Sequence, residues 1–459
     1  MAKNNKPNVL FISFDDMNHY VGFLDRAPHA VTPHMNRLAK RSTVFERAYC
    51  QAPICNPSRA SLMSGLRPST TGIYNNRQPL RFSEAGRDCV TLPQHFRQNG
   101  YLTMGSGKVY HGKFPDPMSW DAYVPSKFNQ THPNASPDHL PVNGMENMGN
   151  LDWGPLDVAD EEMGDYKSVS YCVEQLQAEQ DKPFFLTCGF TSPHLMWHTP
   201  RKYIEQYNLD DIVLPDILEN DLDDVSKVGR KWANRGPHKR IKDEGQWKEA
   251  IRCYLGCMSY ADTLIGRLLG VLNTSAYSDN TVVVLWADHG WHLGEKEHWK
   301  KSTLWEEATR VPLLFSAPGY LASTCSKPVG LIDIYPTLIE LCDLPKRETL
   351  EGQSLVPLMA NPDREWPRPA ITTHGLGNHA IRSEKWRYIQ YADGSEELYD
   401  HENDEMEWLN LAEDPAQEDV MEELSQWLPE NDAPDTEILE WPRDDGLYED
   451  RIKAMMEEE

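Results

Sequence analysis

Short apolar runs that alternate with amphipathic segments constrain the fold of this chain more than any other feature. Four of these runs have the length and composition of buried parallel strands, and they are Asn8–Phe14, Tyr101–Gly105, Pro183–Phe190 and Thr281–Ala287. Helical patterns lie between them at Met35–Ala48, Tyr166–Gln180 and Lys248–Asn273, and a further strand is predicted at Val311–Pro318. Strands that alternate with helices predict an α/β fold built on a large, mostly parallel sheet.

Ionisable residues follow each of the four predicted strands. In chain order they are Asp15 and Asp16, Lys108 and His111, His194, and Asp288 and His289. The carboxyl ends of parallel strands lie at one edge of a sheet, and open α/β sheets bind their ligands beyond that edge. We therefore expect these side chains to converge on one site.

Two long stretches interrupt the alternation of strands and helices. Gly112–Asp165 has no clear period, which predicts a long ordered loop over the sheet, and Ile212–Gly245 is strongly charged, which predicts an exposed segment. A boundary is predicted near Asn361–Pro369, and it divides a catalytic α/β domain (1–360) from a C-terminal subdomain (361–459). Alternating residues after this boundary predict a small antiparallel sheet, which an acidic helical tail follows.

The charge balance limits the partners that the chain can have. The sequence has 45 Lys and Arg against 71 Asp and Glu, a net charge of −26, and nucleic acids and anionic membranes repel such a surface. We therefore predict neither a nucleic-acid nor a membrane partner, and no apolar run approaches the roughly 18–20 residues that span a bilayer. The start of the chain lacks the features of a secretory signal, which predicts a cytoplasmic protein as written, or a periplasmic or secreted one if a leader was removed. The nine cysteines are scattered and odd in number, so no disulfide framework is expected.

The segment PICNPSRASLMSG, Pro53–Gly65, carries the most specific signal in the sequence. Pro57 suits the first turn of a helix, since its missing N–H costs nothing there. Cys55 is then placed just before a helix N-terminus, where free N–H groups and the helix dipole favour an anion. Arg59, one turn later, can pair with an anionic substrate or with the cysteine. The alternative is a buried structural cysteine, with Arg59 in a surface salt bridge.

This segment resembles the C-x-P-S-R signature of the type I sulfatases, which it matches with Cys55, Pro57, Ser58 and Arg59. Ser64 stands where the family usually has threonine, and it keeps the hydroxyl. The resemblance implies an alkaline-phosphatase-like fold. It also implies that a formylglycine-generating enzyme oxidises Cys55 to formylglycine (3-oxoalanine).

The other motifs of the family follow in the same order along the chain. They are FDDMN with Asp15 and Asp16, GKVYH with Lys108 and His111, SPH with His194, and ADHGWHLGEKEHWKK with Asp288 and His289. The spacings GKxxH and DHGWxLGExxxWxK most resemble the iduronate-2-sulfatase branch, whose lysine lies two residues after the tryptophan. Trp299 sets that register, so Lys301 rather than Lys300 is the active-site candidate.

Asp15, Asp16 and Asp288 would gather three carboxylates in the predicted site. Without a cation, three carboxylates repel one another and raise each other's pKa. Their oxygens suit Ca²⁺ or Mg²⁺. The family resemblance implies calcium, with His289 and an oxygen of residue 55 as further ligands. Taken one at a time, the same aspartates are ordinary helix caps.

The resemblance implies a sulfatase that hydrolyses sulfate esters on a sulfated sugar or a polysaccharide-derived oligosaccharide. The hydrated aldehyde at residue 55 would attack sulfur, with the sulfate held by the metal and by cationic side chains. His194 or Lys301 would protonate the leaving alcohol, and His111 would deprotonate the second hydroxyl so that sulfate is expelled. The catalytic candidates are thus Cys55, Arg59, Lys108, His111, His194 and Lys301.

Contacts to the sugar are predicted near these motifs and in the C-terminal sheet, which commonly leans over the pocket in this family. The residues are His198, Arg201, Trp299, His374, Asn378, His379 and Arg382. Each of them also has a purely structural interpretation, as a turn or strand residue.

Two other functions stay open on this evidence. A phosphonate monoester or phosphodiester hydrolase of the same superfamily also uses a formylglycine at this kind of motif. A non-catalytic glycan-binding relative is disfavoured, because a binder has no need of the oxidisable Cys55.

Overall fold

Strands and helices alternate along the chain, as the sequence predicts, in a computed structural model that describes residues 6–27, 29–233, 235–440 and 446–458. The strands are β1 (Asn8–Phe14), β2 (Thr43–Phe45), β3 (Ala48–Tyr49), β4 (Leu102–Gly107), β5 (Ala122–Val124), β6 (Trp153–Leu156), β7 (Phe184–Gly189), β8 (Trp197–Pro200), β9 (Thr281–Ala287), β10 (His292–Leu293), β11 (Trp299–Lys300), β12 (Arg310–Val311), β13 (Leu313–Ser316), β14 (Ser323–Cys325), β15 (Val329–Gly330), β16 (Ala370–Thr373), β17 (His379–Arg382), β18 (Trp386–Gln390) and β19 (Glu396–Asp400). The helices are α1 (Pro33–Ala39), α2 (Cys55–Ser64), α3 (Pro68–Thr71), α4 (Leu92–Gln98), α5 (Gly164–Gln177), α6 (Arg201–Glu205), α7 (Lys227–Trp232), α8 (Arg235–Asp243), α9 (Trp247–Thr274), α10 (Glu306–Thr309), α11 (Ile334–Leu341), α12 (Val356–Ala360), α13 (Glu418–Ser425) and α14 (Leu447–Glu458).

The central sheet has eight strands in the order β14-β2-β13-β9-β1-β7-β4-β5. β1 lies between β9 and β7 and is parallel to both, with Val9 opposite Val282 and Phe185. β13 is antiparallel to its neighbours β9 and β2, whereas β14 is parallel to β2, so β13 is the one reversed strand of this sheet. The predicted α/β fold on a mostly parallel sheet is confirmed.

Helices cover the sheet and explain why its central strands are apolar throughout. All seven residues of β1 and of β9 are buried, as parallel strands between two helical layers must be. The 28-residue helix α9 packs against α5, α6 and α1. By length and composition α9 also meets the criteria for a membrane span, which the sequence had not predicted, but 72% of its most apolar window is buried inside the fold. A helix buried to this extent is a core helix.

The predicted helix Met35–Ala48 is wrong in its second half. α1 ends at Ala39, and the chain continues into β2 and β3. Thr43, Val44 and Phe45 are β-branched and aromatic residues that fit a strand, and β2 pairs with β13 on one side and β14 on the other. Pairing with distant strands therefore outweighs the apolar spacing that favoured a helix.

The segment 212–245 is not simply exposed, as its charge predicted, because it contains α7 and α8. Its apolar residues Leu222, Val225 and Ala233 are buried in one cluster with Ile389 and Tyr391 of the C-terminal region. The segment 112–165 is largely a long loop, as predicted, with the short strands β5 and β6 within it.

The C-terminal region contains the predicted small antiparallel sheet, in the order β16-β17-β18-β19. Gln51 and Cys50, which precede α2, accept hydrogen bonds from Thr373 and Thr372 of β16 at 2.8 and 2.6 Å. The small sheet thus lies beside the segment that leads to Cys55. The division into domains at residues 1–360 and 361–459 stays a prediction.

Candidate active site

The strands that lie side by side in the middle of the sheet bring the predicted residues to one edge. β9, β1, β7 and β4 are neighbours in the sheet, and all four run in the same direction. The residues that follow their carboxyl ends are Asp288 and His289, Asp15 and Asp16, His194, and Lys108. The predicted convergence is therefore confirmed.

Cys55 is the first residue of α2, so the helix begins one residue earlier than the sequence predicted, and Pro57 lies in the first turn as expected. Its Sγ lies 2.9 Å from Lys301 Nζ, 3.4 Å from His289 Nε2 and 4.0 Å from Asp16 Oδ1. Burial raises the pKa of the Cys55 thiol to about 12, although Lys301 acts in the opposite direction. A cysteine that reacts as a thiolate needs a lowered pKa, so the unmodified thiol is a weak nucleophile here.

Arg59 lies one turn into α2 with a wholly buried side chain, which excludes the surface salt bridge that the sequence left open. Its Nε donates to Asp288 Oδ2 at 2.9 Å, and its Nη2 lies 3.3 Å from Asp15 Oδ1. The other donors reach the carbonyl oxygens of Lys108, Val109 and Phe14. All five N–H groups are thereby used within the protein. Arg59 offers a substrate its positive charge and holds three strand ends together.

Two lysines pair with the aspartates that follow β1. Lys108 Nζ binds Asp15 Oδ2, and Lys301 Nζ lies 2.6 Å from Asp16 Oδ1. Burial would raise the pKa of Asp15, but Lys108 and the other cations outweigh burial and hold that pKa well below its ordinary value. Asp16 in turn raises the pKa of Lys301, despite the burial of the lysine. Both lysines are therefore charged and both lie within the predicted site.

The two predicted acid–base histidines lie at the rim of this cluster. His194 Nε2 lies 3.7 Å from Asp16 Oδ2 and 4.0 Å from Asp15 Oδ2, and its Nδ1 lies 2.5 Å from the carbonyl oxygen of Leu195. Burial and the nearby Lys108 charge hold the pKa of His111 well below its ordinary value, so this imidazole is neutral at pH 7.

Four side chains at the centre of the site fit a divalent cation. One ligand atom from each of Asp15, Asp16, Cys55 and His289 lies within 4.8 Å of the others. Asp16 Oδ2 is buried and, within the described part of the chain, accepts no hydrogen bond, as expected of an oxygen that is free to bind a metal. Two carboxylates are hard oxygen ligands of the kind that Ca²⁺ and Mg²⁺ prefer.

Asp288, the remaining predicted metal ligand, lies at the edge of this group. Its Oδ2 is 3.6 Å from His289 Nε2 and accepts from Arg59, and its Oδ1 accepts the Asp16 N–H at 3.1 Å. Both oxygens of the Asp288 carboxylate therefore accept hydrogen bonds, and the carboxylate adjoins the cluster. Its role as a metal ligand stays a prediction.

Several residues that position this site were not predicted from the sequence. Asp16 has a left-handed backbone (φ 61°), and Tyr254 OH of α9 donates to its carbonyl oxygen at 3.0 Å. Asn56, next to Cys55, donates from its backbone N–H to Asn76 Oδ1 at 2.9 Å and from its side chain to the Gln78 carbonyl oxygen at 2.7 Å. Asn56 lies inside the cysteine motif and was overlooked there, whereas no local signal marks Tyr254, which lies 238 residues from Asp16.

The predicted sugar-binding residues near the site are partly engaged with the protein itself. Trp299 is fully buried, stacks on Trp153 at 6.3 Å between ring centroids and donates to His238. His198 Nε2 lies 3.0 Å from Asp152 Oδ2. Trp299 can therefore affect a sugar only through its neighbours.

The remaining candidates also have partners, and their contacts to a sugar stay predictions. Arg201 is exposed and forms two hydrogen bonds with Asp157 at 2.6 and 2.8 Å. The candidates of the C-terminal region are half-buried or buried. Their partners are Trp232 for His374, Ala392 for Asn378, Asp432 for His379 and Glu306 for Arg382.

Comparison with known proteins gives this fold and site a family. The sulfatase family model matches residues 7–344, and the model for the C-terminal region of N-sulphoglucosamine sulphohydrolase matches residues 294–433. A sulfatase from Formosa agariphila is 37% identical over 94% of this chain and 87% of its own length. Human iduronate 2-sulfatase is 31% identical over 76% of this chain and 67% of its own, and a choline-sulfatase from Rhizobium meliloti is 30% identical over 89% and 83%. The chain therefore belongs to the sulfatase family and is a sulfuric ester hydrolase.

Two solved structures share the fold at low identity. A phosphonate monoester hydrolase from Silicibacter pomeroyi has a TM-score of 0.75 at 22% identity and covers 92% of this chain and 94% of its own. A protein solved with its substrate D-glucosamine-2-N,6-O-disulfate has a TM-score of 0.72 at 19% identity and covers 92% of this chain and 96% of its own. These two likenesses show a shared fold alone.

Proposed function

We propose that this sulfatase removes sulfate from a sulfated sugar, free or in an oligosaccharide from a polysaccharide, with residue 55 as its nucleophile after oxidation to formylglycine. The position of Cys55 carries the proposal. Its Sγ lies 2.9 Å from Lys301 Nζ and within the group of possible metal ligands, while its own pKa of about 12 makes the thiol a poor nucleophile. A hydrated formylglycine would supply a hydroxyl nucleophile at that point, made by a maturation enzyme.

The carboxylates at the strand ends would hold Ca²⁺ in preference to Mg²⁺. Asp15 and Asp16 would supply oxygens together with His289 and residue 55, and Asp288 would add an oxygen from the edge of the same group. A bound divalent cation supplies positive charge that stabilises the negative sulfate ester as its bond to the alcohol breaks. Lys108 and Lys301 add further positive charge from their ammonium groups, and the buried guanidinium group of Arg59 adds another positive charge.

Two histidines would move the protons of the reaction. His194 faces the site with Nε2, while its Nδ1 contacts the Leu195 carbonyl oxygen, which fixes the ring. Nε2 is thus placed to give a proton to the leaving alkoxide. His111 is neutral, because burial and Lys108 lower its pKa, so it has a lone pair to accept a proton from residue 55.

A sugar is the substrate that two of the matches favour. The family matches include an iduronate 2-sulfatase and the C-terminal region of N-sulphoglucosamine sulphohydrolase, both of which are named after sugars. The polar candidates His198, Arg201, His374, Asn378, His379 and Arg382 would line the sugar side of the pocket, with Trp299 behind it.

Turnover of an aryl sulfate and of an aryl phosphodiester, measured side by side with release of sulfate from sulfated monosaccharides, tests this proposal. We expect sulfate esters to be the faster substrates, and we expect Cys55→Ala to lower kcat about 10³-fold or more. Cys89→Ala, at a half-buried cysteine outside the site, is the matched control. Chelation should abolish turnover, and Ca²⁺ should restore it better than Mg²⁺.

Two results would contradict parts of the proposal separately. Faster turnover of the phosphodiester would favour the phosphonate monoester or phosphodiester hydrolase that the sequence left open. Sulfate release by Cys55→Ala at the wild-type rate would exclude residue 55 as the nucleophile.

A further inference from the structure

Lys300 is a cation beside the active site that forms no ion pair with any residue that the structure describes. It lies between the buried Trp299 and the site residue Lys301. Its Nζ donates to the amide oxygen Asn150 Oδ1 at 2.6 Å. Within the described residues, no carboxylate oxygen lies within the 4.0 Å of an ion pair with this ammonium group. Its hydrogen-bond acceptor is therefore neutral.

The backbone holds Lys300 in a conformation that a lysine rarely adopts. Its φ is 90°, in the left-handed region, which costs a non-glycine residue on the order of 1–3 kcal/mol. The anchor is Trp299, which stacks on Trp153 and donates to His238 at 3.1 Å, while β11 pairs with β10. The surroundings thus impose the direction in which Lys300 leaves the hairpin, and strain of this kind is typical of functional sites.

The ammonium group is within electrostatic reach of the centre and contacts the loop that leads to the partner of His198. Burial and the Lys301 charge lower the pKa of Lys300 and the Asp16 charge raises it, so both site residues are within electrostatic reach. On the other side, Asn150 is two residues from Asp152, which binds His198. A substrate whose sulfate faces residue 55 would extend past Lys300 toward His198.

The aspartates of the centre are paired without Lys300. Arg59, Lys108 and Lys301 are paired with the three aspartates at the strand ends. Lys300 is thus a surplus positive charge that is half-buried, and a partly desolvated charge without a partner is costly. Because the chain has a net charge of −26, most of its surface repels anions, and such a positive group attracts an anion locally.

We propose that Lys300, oriented by Asn150, binds a second anionic group on the substrate, either a carboxylate or a second sulfate on the sugar. The proposal rests on the proposed function, since it assigns the substrate of that same site to sulfated sugars with at least two negative charges. Lys300 would determine specificity and would take no part in the reaction itself. The neutral Asn150 would hold the ammonium group in place without consuming its charge.

Matched substrates isolate the second charge. The first pair is a sulfated disaccharide that contains a uronic acid and the same disaccharide with the carboxyl group methyl-esterified. A disulfated and a monosulfated form of a neutral disaccharide make the second pair. Any member that is not turned over is measured as a competitive inhibitor of aryl sulfate hydrolysis. The enzymes are wild type, Lys300→Met, Lys300→Arg and Lys182→Met, a change at an exposed lysine before β7, at the opposite edge of the sheet.

We expect Lys300→Met to raise KM or Ki for the doubly charged member of one pair about tenfold more than for its singly charged partner. The pair with the larger difference identifies a carboxylate or a sulfate as the second group. Lys300→Arg should restore most of the difference, and Lys182→Met should change neither value. Equal changes on both members of each pair, or no change on any, would overturn the proposal. If the wild-type enzyme did not hydrolyse aryl sulfates at all, that result would instead count against the proposed function.

Discussion

Arg59 shows how one residue can position the other residues of a site without itself having to react. Its guanidinium group joins Asp15 after β1, Asp288 after β9 and the Lys108 carbonyl oxygen after β4. Three strand ends are therefore fixed around one buried charge. A buried guanidinium group with every donor engaged is pre-organised, so the two carboxylates keep their places before a metal or a substrate arrives.

At the same scale, His194 gives a prediction that separates proton transfer from binding. We expect His194→Ala to lower kcat by roughly 10²–10⁴ on a sugar sulfate, because a sugar alkoxide needs a proton to leave. An aryl sulfate with a stable phenolate leaving group should lose less than about tenfold. The measurement is kcat for both substrates, with His139→Ala, at an exposed histidine of the long loop, as control. Equal losses on both substrates would contradict the assignment of His194 as the acid.

Elements of the fold differ in how far local sequence predicts them. β1, β4, β7 and β9 are predictable because central strands buried on both faces are continuous apolar runs. β2 is not, since its three residues become a strand only by pairing with β13 and β14, which are distant in the sequence.

The residues of the site differ in the same way in how far local sequence predicts them. Cys55, Asp15, Asp16 and Lys301 could be predicted because they lie in motifs whose chemistry is readable from a few neighbouring residues. Tyr254 could not, because its contact with Asp16 exists only once α9 has packed against the sheet.

A buried ion network connects α10 to the C-terminal sheet. Glu306 at the start of α10 binds Arg387 of β18 and lies 3.3 Å from Arg382 of β17, and Glu407 lies 2.5 Å from Arg387. Burial would raise the pKa of Glu306, but Arg382 and Arg387 outweigh burial and hold it well below the ordinary 4.5. The pKa of Glu407 is lowered by Arg387 in the same way.

This network gives a prediction for stability at the scale of elements. Arg387→Met should lower the free energy of unfolding by about 3–5 kcal/mol at pH 7, because it removes the one cation that two buried carboxylates, Glu306 and Glu407, share. The carboxylates of the wild type have lowered pKa values, so their contribution is present above pH 4.5 and is lost as the pH falls through the folded-state pKa. The difference between variant and wild type should therefore narrow on acidification.

Urea unfolding at pH 7 and near pH 4 measures this difference. Lys327→Met is the matched control, since Lys327 pairs with the exposed Glu384 at 2.9 Å, and it should cost less than about 1 kcal/mol. A difference for Arg387→Met that is the same at both pH values would show that the network is not electrostatic in origin.

At the scale of the whole molecule, the C-terminal tail closes back over the catalytic region. Pro434 and its neighbours pack on the loop after α3, where Thr436 N donates to the Gly72 carbonyl oxygen at 2.8 Å and Gln78 Nε2 donates to Asp435 Oδ1 at 2.7 Å. Gln78 also accepts from Asn56 through its carbonyl oxygen, which connects the tail to the residue after Cys55.

The helix α14 extends this contact to the His111 side of the site. Tyr448 packs on Phe114 at 5.2 Å between ring centroids, and Phe114 lies 5.8 Å from His111. The tail therefore contacts the loop that binds Asn56, next to Cys55, and the segment that carries His111, although it is distant from both in sequence.

Two truncations test the role of the tail. A chain that ends at Leu439 loses α14, and we expect a lower Tm because Phe114 and its apolar neighbours become exposed. A chain that ends at Asn431 also loses the contacts to Gln78 and Gly72, and we expect kcat to fall further, about tenfold or more relative to the first truncation. Wild-type Tm and kcat in the shorter chain would contradict this role.

Mass spectrometry of the peptide that carries residue 55, in enzyme preparations of known specific activity, tests the central claim most directly. We expect turnover to rise in proportion to the fraction of chains in which the thiol has become an aldehyde, and to vanish where every chain keeps Cys55. Full sulfate release by a preparation that contains only the intact thiol would contradict the claim.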